Sequence, residues 1–213
     1  QKPRLEALWV AYRDKPVRNR QRADEREVLD PWQRFAYDIV REKAVERAAR
    51  CRSDPYSPAR LFLTGGAGSG KTRTVRAFVQ AYQDVVRARG SDQRDVDNCC
   101  KLAAPTGCAS FHLKGGASTC HRLFGVPVSR AVGPLAAAST VLEGLQERLG
   151  RARLAVLDEF SMLGRRFMGK VLYRVKDALE YRVLRQGLEQ VSMGGLDVVL
   201  SGHAAQIKAI GDD

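Results

Sequence analysis

The chain predicts an α/β fold, a parallel sheet with helices on both faces, and three observations carry that prediction. Short apolar runs (Leu61–Leu63, Cys100–Ala104, Leu154–Leu157 and Leu196–Ser201) alternate with longer stretches of helical spacing. A glycine-rich octet, Gly65-Gly66-Ala67-Gly68-Ser69-Gly70-Lys71-Thr72, separates the first run from the helical stretch that follows it. A third apolar run delivers two adjacent carboxylates, Asp158-Glu159. Ligands of such sheets bind beyond the carboxyl ends of the strands, and these motifs fall at such ends.

Taken in order, residues 1–28 are polar and arginine-rich, with scattered aromatics at Trp9 and Tyr12, and read as a partly ordered leader or linker. The domain itself is expected over residues 29–213. Asp30 is placed to cap a helix and Pro31 suits its first position. Trp32, Phe35, Ile39 and Val40 recur at helical spacing and are expected to face a core. Residues Ser53–Pro58 read as a loop, Thr72 to about Arg89 as a helix, and Pro105–Phe124 as a loop with short helices. Pro134–Leu149 reads as a helix ended by Gly150, which can adopt the left-handed conformation a helix terminus needs. Arg166–Leu188 reads as a helix with a basic outer face.

At 213 residues the chain is long enough for one domain with its own core. Its 36 Lys and Arg against 24 Asp and Glu give a net charge of +12. That suits a polyanionic partner, nucleic acid above all, and is equally compatible with an arginine-rich soluble surface. The five cysteines, Cys51, Cys99, Cys100, Cys108 and Cys120, show no zinc spacing and read as reduced thiols of an intracellular protein. Cys99 and Cys100 in particular resemble core strand residues. No apolar run approaches membrane-spanning length, and the N-terminus lacks a signal-peptide core, so no membrane partner is expected. The absence of an initial methionine before Gln1 reads as a fragment or a processed product.

Strand, glycine-rich loop and helix together form the context of a Walker A phosphate loop, and hence of a P-loop NTPase. Glycines let the backbone turn tightly, so that N–H groups of Gly65, Gly66, Ala67, Gly68, Ser69 and Gly70 point at phosphate oxygens. The helix behind adds the positive end of its dipole. Lys71 is expected to reach the terminal phosphates of a nucleoside triphosphate and the Thr72 hydroxyl to ligate Mg²⁺. Of the two carboxylates, Asp158 is assigned to the metal and Glu159 to the attacking water. A further stretch, Ala103–Gly107 and then Ser118–Gly125, combines hydroxyls, a histidine and basic side chains. Thr106 and Thr119 are candidates for phosphate contacts, and His121 or Phe111 for packing on a base. Turn hydroxyls and core aromatics would account for the same residues.

Four blocks now stand in order: Gly65–Thr72, Ala104-Pro105-Thr106-Gly107, Thr119-Cys120-His121-Arg122-Leu123-Phe124-Gly125 and Asp158-Glu159-Phe160-Ser161-Met162. They resemble the first motifs of the Pif-one (petite integration frequency) family of superfamily-one DNA helicases. Gly194–Gly202 resembles that family's third motif, so the likeness runs over roughly residues 29–213. It implies a recombinase-like motor domain, the first of the usual two, that uses Mg²⁺ and ATP to track single-stranded DNA from 5′ to 3′. It implies that Gln33 reads the adenine base and that Gln206 senses the terminal phosphate. It also implies that Thr106, Gly107, Thr119 and His121 touch single-stranded or forked DNA. Nuclear or mitochondrial residence, with roles in DNA repair, recombination and telomere maintenance, follows from the same resemblance.

Two departures stand out. His203 occupies a position that is acidic in the family, and Lys208-Ala209 replaces a proline pair. A histidine carries no negative charge, and losing the prolines frees the backbone. Both changes bear on coupling hydrolysis to movement rather than on nucleotide binding. The second departure is that the sequence stops at Asp213, soon after the third motif, and so reads as a motor domain without its partner domain. A non-catalytic nucleic-acid-binding remnant is the alternative reading. A motor of the exonuclease V alpha-subunit type is a weaker one, which the Asp158–Met162 run disfavours.

Overall fold

The computed structural model describes residues 29–50, 56–127, 139–186 and 192–203. The first described element, helix α1 (Pro31–Ala49), starts as expected. Asp30 accepts from the backbone N–H groups of Trp32 and Gln33, and Gln33 Oε1 accepts from Asp30 N–H, which closes a capping box with Pro31 at the first position. The buried stripe is Tyr37, Val40 and Ala44, while Phe35 and Ile39 are half-buried. Trp32 does not face the core: it is 62% exposed. Counting back from Tyr37, the stripe passes through Gln33, so Trp32 points out to one side.

Strand β1 (Arg60–Thr64) leads through the glycine-rich loop into α2 (Lys71–Ala88), whose inner face buries Val75, Phe78, Ala81, Tyr82 and Val86. Helix α3 (Gln93–Asn98), capped by Asp92, precedes β2 (Cys100–Ala104). Next come α4 (Gly107–Leu113), the two-residue β3 (Ser118–Thr119) and α5 (Cys120–Phe124). Helix α6 (Thr140–Leu149) is capped by Ser139, and the expected start at Pro134 lies outside the described residues. Gly150 is right-handed, not left-handed (φ −58°, ψ −29°). Its N–H donates to Gln146 O at 2.7 Å, so it extends the helical turn, and the chain reaches β4 (Leu154–Leu157) without a reversal. Helix α7 (Arg165–Gln186) exposes Arg165, Arg166 and Lys176 but buries Arg174, and β5 (Asp197–Gly202) closes the sheet.

The five strands of the described residues are all parallel, in the order β1-β5-β4-β2-β3. Each of the four links between successive strands carries at least one helix, as parallel pairing requires. In β4, Leu154 and Val156 join a core with α1 and α2, and Ala155 and Leu157 join one with α5, α6 and α7. That strand is buried on both faces, which explains its unbroken apolar run. Cys99, Cys100, Cys108 and Cys120 are free thiols; Cys99 is buried just before β2 and Cys100 opens the strand. Among the described residues no helix is long and apolar enough to cross a membrane.

At the N-terminal edge of the sheet one buried carboxylate ties the layers together. Asp197 accepts from Tyr56 Oη at 2.7 Å, Arg47 Nε at 3.0 Å, Ala59 N–H at 2.6 Å and the Tyr82 hydroxyl. Arg47 belongs to α1 and Tyr82 to α2, so both helices behind the phosphate loop are pinned to β5. Burial, with Asp197 adding to it, pushes the Tyr82 phenol far above its ordinary value.

Candidate nucleotide-binding site

Strand register puts every sequence motif on one rim. Thr64 of β1 lies beside Gly202 of β5, Leu157 of β4 beside Leu200, and Ala104 of β2 beside Thr119 of β3. The glycine-rich loop therefore leaves the sheet on the same side as Asp158-Glu159, Pro105-Thr106-Gly107 and His203.

In the loop, Gly70 caps α2 in the left-handed conformation (φ 80°). A side chain there would also collide with Gln33, since a Cβ would lie 2.5 Å from Gln33 Nε2. The Gln33 amide donates to Ser69 O at 2.8 Å, which fastens α1 to the loop. The Lys71 ammonium donates to Gly65 O at 2.7 Å and Gly66 O at 2.9 Å, curled over the loop's own carbonyls. A cavity of about 400 Å³ lies between α1 and the loop. Pro31, Trp32 and Gln33 belong to one wall, and Leu63, Thr64, Ser69 and Lys71 are among the residues facing them.

Gln33 keeps spare capacity. A primary amide has two N–H donors and two carbonyl lone pairs, and one of each is committed to Ser69 O and Asp30 N–H. One donor and one acceptor remain on the amide.

Asp158, buried, follows directly on β4, and its backbone N–H donates to Ala103 O at 2.8 Å. Glu159 is left-handed (φ 51°, ψ 44°), which costs a non-glycine residue roughly 1–2 kcal/mol. Its Oε2 is buried without a protein hydrogen bond, as are the hydroxyls of Ser161 and Ser201. Gly202 lets β5 end against this turn: a Cβ there would stand 3.1 Å from the Phe160 backbone nitrogen. Two of these unpartnered polar atoms, on Glu159 and Ser161, belong to a turn built for close approach.

The fit to Mg²⁺ follows from the donor set. Among the described residues no group of three or more His, Cys, Asp or Glu side chains is placed to hold a metal ion. Thr72 and Asp158 supply one hydroxyl and one carboxylate, the sparse oxygen set with which magnesium is held beside substrate phosphates and water.

The remaining predicted residues lie further along the rim. Thr106 caps α4, accepting from Ala109 N–H at 3.2 Å, and Gly107 is exposed. Thr119 caps α5, accepting from Arg122 N–H at 3.3 Å. His121 is half-buried against the Phe167 ring, with centroids 4.6 Å apart. Gln206 and Lys208-Ala209 lie outside the described residues. Sequence reading missed Trp32 as a cavity wall and the Ser201 hydroxyl. The former could have been suspected, because Trp32 adjoins a residue already assigned to the base.

An all-parallel sheet with this loop between β1 and α2 defines a phosphate-loop nucleotide-binding core. The chain belongs to the AAA domain family, whose model matches residues 53–212. Solved structures with a similar fold include a Pif1 helicase described for unwinding at forked double-stranded DNA (22% identity, TM-score 0.57, 85% of this chain and 35% of that one). Pif1 from Bacteroides in complex with ADP-AlF3 and single-stranded DNA is similar at 22% identity and a TM-score of 0.55, over 85% of this chain and 34% of that one. Pif1 from Candida albicans follows at 18% identity and a TM-score of 0.52, over 85% and 34%. The chain therefore spans about a third of the length of these structures. Comparison with curated protein sequences gives no match.

Proposed function

We propose that the chain is the first motor domain of an ATP-driven 5′–3′ DNA helicase. It binds Mg-ATP on the phosphate loop and single-stranded or forked DNA along the adjoining strand ends. The observation that carries this reading is the shared rim: Lys71 and Thr72 stand beyond β1, and Asp158 and an unpartnered Glu159 stand beyond β4.

On this reading the loop N–H groups and the α2 dipole hold the triphosphate. Lys71 exchanges its two carbonyl bonds for charge-assisted bonds to phosphate oxygens. Thr72 and Asp158 hold the magnesium ion, which when bound offsets charge on the transferring phosphoryl group. Glu159 accepts a hydrogen bond from the attacking water and orients it. Gln33 reads adenine, and Gln206 senses the terminal phosphate. Thr106 and Thr119 spend a lone pair on capping, which leaves each hydroxyl proton for a DNA phosphate, with Gly107 and His121 beside them. Helicases of this class place ATP between two such domains, and arginines from the second are worth about 10³- to 10⁵-fold in related phosphoryl transfers. A first domain assayed without such a partner is expected to turn ATP over slowly. The resemblance extends the proposal to nuclear or mitochondrial DNA repair, recombination and telomere maintenance.

His203, in a position acidic in the family, favours a second reading, a nucleic-acid-binding module without turnover. Single-strand affinity measured with and without a non-hydrolysable ATP analogue separates the two. A motor domain changes its affinity on binding nucleotide, whereas a passive module shows one affinity throughout.

A further inference from the structure

Phe111 is the most exposed large apolar side chain among the described residues, at 78%. Helix α4 explains the exposure. Its inward positions are taken by Ser110 and Leu113, so Phe111 projects from the opposite side. Its aromatic neighbour is His112, edge-on at 6.0 Å. A single exposed aromatic needs no explanation by itself. Its placement supplies one.

Phe111 stands one helical turn from Gly107, the i, i+4 spacing that brings two positions onto the same face. Gly107 has open space where a side chain would stand, so a chain of nucleotides can lie close on the backbone there. Thr106, next to it, retains a hydroxyl proton for a phosphate oxygen. Lys114, exposed at the C-terminal end of α4, brings to this helix the positive charge that a phosphodiester requires.

We propose that Phe111 is a base-stacking platform of the single-strand path, with the sugar-phosphate chain over Thr106 and Gly107 and one base lying on the phenyl ring. This rests on the reading that the rim binds single-stranded DNA. Stacking of this kind is tolerant of sequence, because every base offers a π-face. Phe111 adds affinity without adding a charge, so it deepens binding without steepening its dependence on salt.

The test uses the full chain and a thymidine oligonucleotide carrying single 2-aminopurine substitutions, titrated by fluorescence anisotropy and by 2-aminopurine emission. Phe111→Ala is expected to weaken binding about 5- to 150-fold, the usual loss for one base-aromatic stack. Phe111→Trp is expected to keep the affinity. One 2-aminopurine position should be quenched by the parent and not by Phe111→Ala, and the salt slope should stay the same in both. Because the ring is exposed, neither substitution threatens the fold. Equal affinity of parent and Phe111→Ala would overturn the stacking role while leaving the rim as a single-strand site. No binding by the parent at all would remove the rim reading and this proposal with it.

Discussion

The side-chain amide of Gln33 donates to the carbonyl of Ser69, 2.8 Å away, so helix α1 is hydrogen-bonded to the phosphate loop itself. Whatever holds a base against α1 is thereby mechanically connected to whatever holds phosphate in the loop. Gln33→Ala removes that tether and, on the proposed reading, the base contact. One hydrogen bond of this kind contributes about 0.5–1.5 kcal/mol, so ATP affinity should fall about 2- to 12-fold. Titrating ATP and GTP in parallel distinguishes the two effects. The ATP preference should shrink in the variant, and an unchanged ATP-to-GTP ratio would leave Gln33 as a tether alone.

Trp32 borders the same cavity and offers an intrinsic reporter. The chain has two tryptophans, and Trp9→Phe leaves Trp32 as the sole indole. Mg-ATP should change the emission of that variant in a saturable way. With Lys71→Ala added, the change should disappear at the same nucleotide concentrations.

Glu159 sits in a left-handed conformation that costs a β-carbon-bearing residue energy, and it buries a carboxylate oxygen without a partner. Strain of this kind is the expected mark of a residue kept for chemistry. Glu159→Gly should therefore raise the stability of the fold by about 1 kcal/mol in urea denaturation while abolishing turnover. A loss of stability would mean that the carboxylate supports the fold.

Asp197 makes the opposite prediction. It is buried, accepts from two tyrosines, an arginine and a backbone N–H, and lies at the far edge of the sheet from the loop. Asp197→Ala takes the counter-charge from a largely buried Arg47 and the acceptor from the Tyr82 hydroxyl, and should cost about 3–5 kcal/mol. The pH dependence follows from the tyrosines. Their folded-state pKa values are raised, chiefly by burial and further by Asp197, so the folded protein holds these protons more tightly than the unfolded chain. That stability is complete below the ordinary tyrosine value near 10 and is lost as pH rises beyond it. Tyr82→Phe should flatten the fall in stability measured above pH 10.

The contrast between these sites explains what can be read from the chain without coordinates. Strands β2 and β4 have the expected limits; β4, covered on both faces, is an unbroken apolar run with turn residues at its ends. The phosphate loop was legible because its chemistry is local, eight consecutive residues flanked by a strand and a helix. Asp197 was not, since its partners at Arg47, Tyr56 and Tyr82 are more than 100 positions away and only the fold brings them together. Trp32 was misassigned because helical spacing identifies a stripe only once its phase is known. Gly150 could have been left-handed, but it is right-handed because the route from α6 into β4 needs no reversal. Helix α3 and strand β3 are six and two residues long, too short to leave a periodic signal.

The central claim is that this rim couples nucleotide chemistry to single-stranded DNA. Steady-state ATP hydrolysis by the full chain, with and without a single-stranded oligonucleotide, tests it most directly, with Lys71→Ala and Glu159→Gln measured beside the parent. The account predicts slow turnover that single-stranded DNA stimulates and that is lost in both variants, with ATP still bound by Glu159→Gln. Turnover that ignores DNA, or that survives in either variant, would contradict it.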